Sequence, residues 1–390
     1  MAVNFSEIHA QILEMGRQAL QRDKFLRIKA DDGRRKLQEY AAQGESLKEL
    51  VARAAAANSA LRCAIPLDEA MDQSFPPPAA VPDYTLLAAD GSQASPSRHQ
   101  AVEFGLINTG AIRMQPGQAV SPVEITRSHL LTFDELFPGN SLVSEEVLAL
   151  RRDVLEREVL ADLAGMEEGP LVTLTDGTIE LFREPKESAE FRSQFERYIE
   201  ALARLAARGA AAAGYVDKPR ADLVMRLLEL TLFEDDLDKA GHERPLGGVS
   251  DGELFTGLIP PGHRSAVFGI QSRSALEYRG PLALHFFYLN VGSETRPRLA
   301  RVETPAWVVE NPELLGLVHT ALVEQAHHMG ARPYPYALHR AHEIAVVTLD
   351  DRDQLERMIA VELARQGLRP GEKSAKQTAK DAAPRMRIGS

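Results

Sequence analysis

The chain has 390 residues, with 45 Lys and Arg against 56 Asp and Glu, a formal net charge of −11. Its hydrophobic content of 44% and charged content of 26% are those of a globular chain long enough for one or two domains. The acidic balance excludes a broad basic surface that grips nucleic acid, though not an enzyme that works on nucleic acid through metal ions.

A single cysteine, Cys63, excludes an intrachain disulfide framework and a Cys-rich zinc cluster. No apolar run reaches bilayer length, and the N-terminus lacks a signal-peptide core. The expectation is a cytoplasmic protein with no membrane contact.

Residues 4–62 read as helical, with Phe5, Ile8, Ile12 and Leu13 at helical spacing and a second run from Leu37 to Leu61. The Pro-rich stretch from Gln73 to Asp83 cannot continue a helix and marks a boundary. Thr85 to Ala89 is a short apolar run, expected as a buried strand that ends in an Asp90-Gly91-Ser92 turn. Ala101 to Met114 and Val123 to Phe133 read as two more strands. Ser144 to Gly165 is a helix capped by Ser144, with Glu145 and Glu146 favouring its dipole. Leu171 to Thr175 is another buried strand, running into Asp176-Gly177-Thr178.

A long helix is expected from Ser188 to Arg208, then a strand ending near Gly214 to Pro219. Residues 220–262 read as helical, then loop-rich. Ala266 to Ile270 and Leu282 to Val291 suggest a hairpin, with further β character at Ala306 to Val309. Helices follow around Pro312 to Met329 and from Tyr336, and a last charged helix ends near Gln366. The tail from Gly367 has six Lys or Arg and two acids, hence +4, which leaves −15 on the rest. Its composition is that of a disordered segment.

The chemistry lies in the order of these elements. A strand running into Asp90 and two further strands are followed by a carboxylate-bearing helix and a strand running into Asp176. An acid at the end of a buried strand is costly unless it is paired or holds a cation. Two such strands side by side would bring Asp90 and Asp176 together, and the helix would lean a third carboxylate over them. At about 100° per residue, Glu156 lies nearer the apolar stripe of Leu148, Leu155, Val159 and Leu163 than Glu158 does. Glu156 is preferred and Glu158 is the reserve. Asp, Glu and Asp are hard oxygen donors, suited to Mg²⁺ or Mn²⁺ rather than zinc. Two such ions would activate a water and stabilise the leaving oxygen in phosphodiester hydrolysis.

Competing motifs are weaker. A haloacid-dehalogenase loop needs an aspartate at position 174, where Leu174 stands. A PD-(D/E)xK core would use Asp176, Glu184 and Lys186, but Pro185 breaks the strand it requires. No P-loop is present, so an associated ATPase would be another chain.

The segments Ala88–Gln93 (AADGSQ), Thr173–Glu180 (TLTDGTIE), Gly214–Leu223 (GYVDKPRADL) and Tyr334–Val347 (YPYALHRAHEIAVV) resemble the NurA nuclease family over Asp83 to Asp350. The resemblance implies an α/β fold with an RNase H-like mixed sheet flanked by helices. It implies a homodimer that degrades DNA with Mn²⁺ or Mg²⁺, with a HerA-type hexameric ATPase, in end resection and double-strand break repair. The family's aspartates fall on Asp90 and Asp176, its helix glutamate on Glu156 or Glu158, and its C-terminal histidine on His342. His342 would bind metal or give a proton to the leaving group. Lys218, beside Asp217, falls where a family basic residue would steady the phosphate or water.

The expected layout is therefore a helical N-terminal arm (1–72), a linker (73–83), a nuclease domain (84–366) and a basic tail (367–390). The alternatives are a non-catalytic scaffold or adaptor for a translocase and a PD-(D/E)xK-type nuclease. His339 shares a helix face with His342. Tyr334 and Tyr336 read as packing residues, His327-His328 as a helix end, and Arg264 and Arg273 as candidate phosphate contacts. A body at −15 also predicts weak, salt-sensitive DNA binding by the protein alone.

Overall fold

The computed structural model describes residues 4–97, 100–181, 188–368 and 371. Glu184, Pro185, Lys186 and nearly all of the basic tail fall outside them. The strands are β1 (Cys63–Pro66), β2 (Ser74–Phe75), β3 (Thr85–Ala94), β4 (Leu106–Met114), β5 (Val123–Leu130), β6 (Leu171–Asp176), β7 (Ala211–Val216), β8 (Arg264–Ser265), β9 (Phe268–Gln271), β10 (Leu284–Asn290) and β11 (Leu299–Pro305). The helices are α1 (Phe5–Glu39), α2 (Gly44–Ala57), α3 (Phe133–Leu136), α4 (Glu145–Ala164), α5 (Ala189–Arg208), α6 (Leu223–Leu230), α7 (Leu237–His242), α8 (Asp251–Phe255), α9 (Ala306–Val309), α10 (Pro312–His327), α11 (Tyr336–Ala345) and α12 (Leu349–Arg365). None of the described helices is long and apolar enough to cross a membrane.

Two compact units share the chain. The first holds residues 1–82, 176–180 and 211–336; the second holds 83–175, 181–210 and 337–390.

In the second unit β3, β4 and β5 form an antiparallel meander, and β6 runs parallel to β3 on its other side. The order β6-β3-β4-β5, with helix α4 between β5 and β6, is the RNase H-like arrangement. Helix α4 packs across β3 and β4 and against α5. Ser144 caps α4 by accepting from the Val147 N–H, and Ser188 caps α5 by accepting from the Phe191 N–H. Each hydroxyl satisfies an N–H that the first helical turn would otherwise leave unpaired. Leu131, Leu136, Val143 and Leu148 close over Ile107. On another patch Val347, Leu355 and Ile359 cover Ala94, Phe104 and Leu106.

In the first unit the strand order is β1-β9-β10-β11-β7, each strand antiparallel to its neighbours, with β8 paired to β10 and β2 paired to β8. Phe255, Phe268, Phe286 and Tyr288 form its aromatic centre.

Four local expectations fail. Asp90-Gly91-Ser92 is no turn: β3 runs on to Ala94, with Asp90 opposite Gly110 and Ser92 opposite Asn108 on β4. The ladder to β4 holds the backbone extended, and Gly91 serves a close approach rather than a bend. Ala306 to Val309 is the single helical turn α9 rather than a strand. Pro305 ends β11 and stands as N-cap, and the Glu310 N–H closes the turn on Ala306 O. A four-residue apolar run cannot separate the two states by periodicity. The strand expected from Ala101 begins only at Leu106, and the one expected to reach Phe133 ends at Leu130. The reason for the second is the capping box of Thr132 and Glu135, which starts α3.

Candidate active site

The second unit builds its site around Asp90. The parallel register sets Ala89 opposite Thr175, and Asp90 is the next residue along β3. The strand is fully buried up to Ala89 and becomes half-buried at Asp90. One carboxylate oxygen of Asp90 accepts from the Gly91 N–H at 2.9 Å. The other lies 2.7 Å from His342 Nδ1.

Helix α4 crosses β3 at Gly91. A Cβ there would stand 2.5 Å from Glu156 Oε1 and 2.6 Å from Arg152 Cγ. Both neighbours are side-chain atoms, so Gly91 leaves room for Glu156 and Arg152 to lie over β3 rather than turning the chain. Glu156 is 9% exposed. Burial pushes its carboxyl up to about 8, the negative charges of Asp153 and Asp90 add to this, and Arg152 and Arg157 offset only part. Arg152 Nε lies 3.3 Å from Glu156 Oε1 but makes no hydrogen bond there. Its Nη2 donates to Asp153 at 2.9 Å. Buried Arg157 donates instead to Thr175 Oγ1 at 3.0 Å and Tyr198 Oη at 3.1 Å.

Helix α11 brings His342, and the sheet holds its C-terminal end. Ala345 O accepts from Asn108 Nδ2 at 2.8 Å and from the Ser92 hydroxyl. The Val347 N–H donates to Ser92 Oγ at 3.1 Å. Gly110 leaves room for this approach, since a Cβ would meet Ala345 N at 2.4 Å. Side chains of β3 and β4 thus satisfy the end of α11, and His342, itself 65% exposed, reaches Asp90.

The structure therefore joins Asp90 to His342 and sets Glu156 within electrostatic reach of Asp90. Glu158 instead makes a two-pronged pair with Arg197, at 2.9 and 2.7 Å, on the outer side of α4. His339 lies 3.6 Å from Glu343. Tyr334 packs edge-on against Tyr215 at 5.6 Å, His327 ends α10, and Arg264 is held by Glu69 at 2.8 and 2.6 Å.

Asp176 and Lys218 belong to the first unit. Asp176 is exposed at the end of β6, and the segment after it is tied down. The Gly177 N–H donates to Tyr215 O at 2.8 Å. The N–H groups of Ile179 and Glu180 donate to Glu303 Oε2 at 2.8 and 3.2 Å, while Arg301 donates to Glu303 Oε1 at 2.6 Å. Glu180 receives Arg62 at 3.0 and 2.7 Å and the Ser272 and Ser274 hydroxyls at 2.8 and 2.5 Å. Lys218 is exposed, in left-handed backbone at φ 48°.

Sequence reasoning missed Arg152, Arg157, Asn108, Gly110 and Glu303. Arg152 had a signal, since it sits one helical turn before Glu156. Gly110 had none, because its role depends on a helix more than 220 residues later.

The donor set suits a hard divalent cation: the Asp90 carboxylate is close enough to raise the cost of ionising Glu156, and Glu156 lacks a hydrogen bond from any described residue. Among the described residues, no group of three or more His, Cys, Asp or Glu side chains is close enough to hold a metal ion.

A family model described as the NurA domain matches residues 84–347, about two thirds of the chain. The chain belongs to the NurA family. NurA proteins are nucleases, and the fold agrees. The NurA nuclease of Sulfolobus solfataricus matches with a TM-score of 0.54 at 12% identity, over 92% of this chain and 98% of that one. An endonuclease V of Ciona intestinalis matches at 11% identity over 71% of this chain and 87% of that one, with a TM-score of 0.29. No curated protein sequence matches.

Proposed function

We propose that this NurA protein is a metal-dependent DNA nuclease, with Asp90 and Glu156 as its central ligands. The observation that carries the reading is the pairing of these two carboxylates where Gly91 lets α4 meet β3. Asp176 is the third proposed ligand, on the grounds of sequence order and family resemblance. Mg²⁺ or Mn²⁺, as two ions, would supply Lewis acidity at the scissile phosphate and lower the pKa of water.

The chain's own groups do the rest. The Asp90–His342 hydrogen bond orients the imidazole, leaving its other nitrogen to ligate metal or pass a proton to the leaving oxygen. Arg152 restrains Glu156 without neutralising it. Lys218 steadies a phosphate. The wider role is DNA end resection and double-strand break repair as a cytoplasmic homodimer beside a HerA-type hexameric ATPase. The −15 body supports this reading, because such a chain needs its substrate delivered.

The test is Mn²⁺-dependent cleavage of single- and double-stranded DNA ends by the full chain and by Asp90→Ala and Asp176→Ala. Loss of cleavage in both supports the ligand set. Unchanged cleavage by Asp90→Ala would sink the reading, and unchanged cleavage by Asp176→Ala alone would remove that ligand.

One observation favours a second reading. The lack of three clustered ligands among the described residues suits a non-catalytic scaffold for a translocase. A scaffold shows no carboxylate-dependent Mn²⁺ binding in calorimetry.

A further inference from the structure

The first unit contains an open cavity of about 580 Å³ that includes Lys218 but none of the proposed carboxylate ligands. Three stretches form it: the Asp217-Lys218-Pro219-Arg220 turn after β7, the loop leading into α8, and the Pro297-Arg298-Leu299 entry to β11. Its cations set it apart. Elsewhere arginines such as Arg62, Arg113, Arg197 and Arg264 are held by a carboxylate, but Lys218, Arg220 and Arg298 have no ion pair among the described residues.

The acids of the same wall are largely occupied. Asp222 binds Arg244 at 2.7 Å, and Glu253 accepts from Ser250 N and Oγ in the cap of α8. Ser250 is uncharged, so Glu253 keeps its charge and, together with Asp217, opposes the three cations. Lys218 is also the one described non-glycine residue with positive φ, a conformation L side chains rarely adopt. Such strain is retained where a side chain must point in a particular direction. Beside these charges stand apolar surfaces from Pro219, Val249, Pro297 and Leu299.

We propose that this cavity binds one nucleotide unit, with its phosphate on Lys218, Arg220 and Arg298 and its sugar and base against the Pro219, Val249, Pro297 and Leu299 wall. The volume exceeds what a bare phosphate needs and falls in the range of small-ligand pockets. Two guanidinium groups and an ammonium match phosphate oxygens, with Arg able to bind them in two-pronged fashion. The choice of a deoxynucleotide rests on the proposed action on DNA. The ligand is either an unlinked mononucleotide or a residue within a strand, and both carry the same chemistry.

The test is calorimetric titration of the full chain in EDTA, so that binding is read apart from metal chemistry. The probes are thymidine 5′-monophosphate, inorganic phosphate, thymidine and a short oligothymidylate. The monophosphate is expected to bind more tightly than phosphate or thymidine. Arg220→Ala and Arg298→Ala, checked for folding by thermal melting, are each expected to weaken it by roughly 10-fold, the loss of one charge-assisted hydrogen bond.

A strand residue as the natural ligand predicts tighter oligothymidylate binding, lowered by the same variants; a free product predicts the reverse order. Equal binding of phosphate and monophosphate would overturn the nucleotide assignment, and unchanged binding in both folded variants would overturn the site. Asp90→Ala separates the two proposals. It is expected to keep nucleotide binding while losing cleavage, and if it cleaves normally the nuclease reading fails while the titration still decides the pocket.

Discussion

Two sets of buried carboxylates, one in each unit, are satisfied to different degrees. In the first unit Glu180 has both its oxygens engaged by Arg62 and accepts from Ser272 and Ser274 as well. Burial pushes its carboxyl up, but Arg62 and the serines outweigh this and hold it below the usual range. Glu303 nearby takes Arg301 and two backbone N–H groups. In the second unit Glu156 is also buried, yet no described residue gives it a hydrogen bond, and two acids face it. A protein that needed only a folded core here would have neutralised Glu156 as it neutralised Glu180. Removing a carboxylate of the first kind should cost stability, and one of the second kind should cost activity.

The largest expected effect is on cleavage. Glu156→Gln keeps the shape and removes the group able to ionise onto a metal, so cleavage in Mn²⁺ should fall by about 10³-fold, several kcal/mol of transition-state stabilisation. Its melting temperature should not fall, because burial already holds the metal-free carboxyl largely neutral and glutamine keeps its size. A marked drop in melting temperature would place Glu156 with the structural carboxylates and break the contrast.

Glu303→Ala makes the opposite prediction. It strands Arg301, which is 5% exposed, and two backbone N–H groups. Denaturant unfolding should show a loss of about 3–5 kcal/mol. A loss within error would mean that this network holds nothing in place.

A smaller change tests the approach of α4 to β3. Gly91→Ala puts a methyl 2.5 Å from Glu156 Oε1, so the Glu156 and Arg152 side chains must move aside, at about 1–3 kcal/mol. Cleavage should fall with it. Normal cleavage by a folded Gly91→Ala protein would mean that Glu156 need not sit there.

The smallest effect is a pH slope. Glu180 lies below its ordinary 4.5 in the folded state, so the unfolded chain takes up the proton first. Its contribution is present above about pH 4.5 and is lost as pH falls through the lower folded value. Glu180→Gln should flatten the acid limb of stability against pH, measured by urea unfolding from pH 7 to 3. An unchanged limb would show that Arg62 and the serines do not hold Glu180 ionised.

The same contrast shows what sequence alone could deliver. Helices α4 and α5 are legible to within a residue, because Ser144 and Ser188 are caps whose chemistry is local. The β3, β4, β5, α4, β6 order is legible from hydrophobic runs and breakers. Gly91 reads as a turn because a glycine needed for close approach looks the same in sequence as one needed for a bend. The choice between Glu156 and Glu158 turns on a helical angle, and Arg197 on another helix accounts for where Glu158 points. Glu303 escapes notice because its partners come from separate segments and no local spacing marks it.

Mn²⁺ calorimetry on the wild-type chain and on Glu156→Gln, with cleavage measured on the same samples, tests the central claim directly. The account predicts carboxylate-dependent Mn²⁺ binding in the wild type, lost together with cleavage in a variant that melts no lower. Equal Mn²⁺ binding by both proteins, or cleavage that survives the substitution, would contradict it.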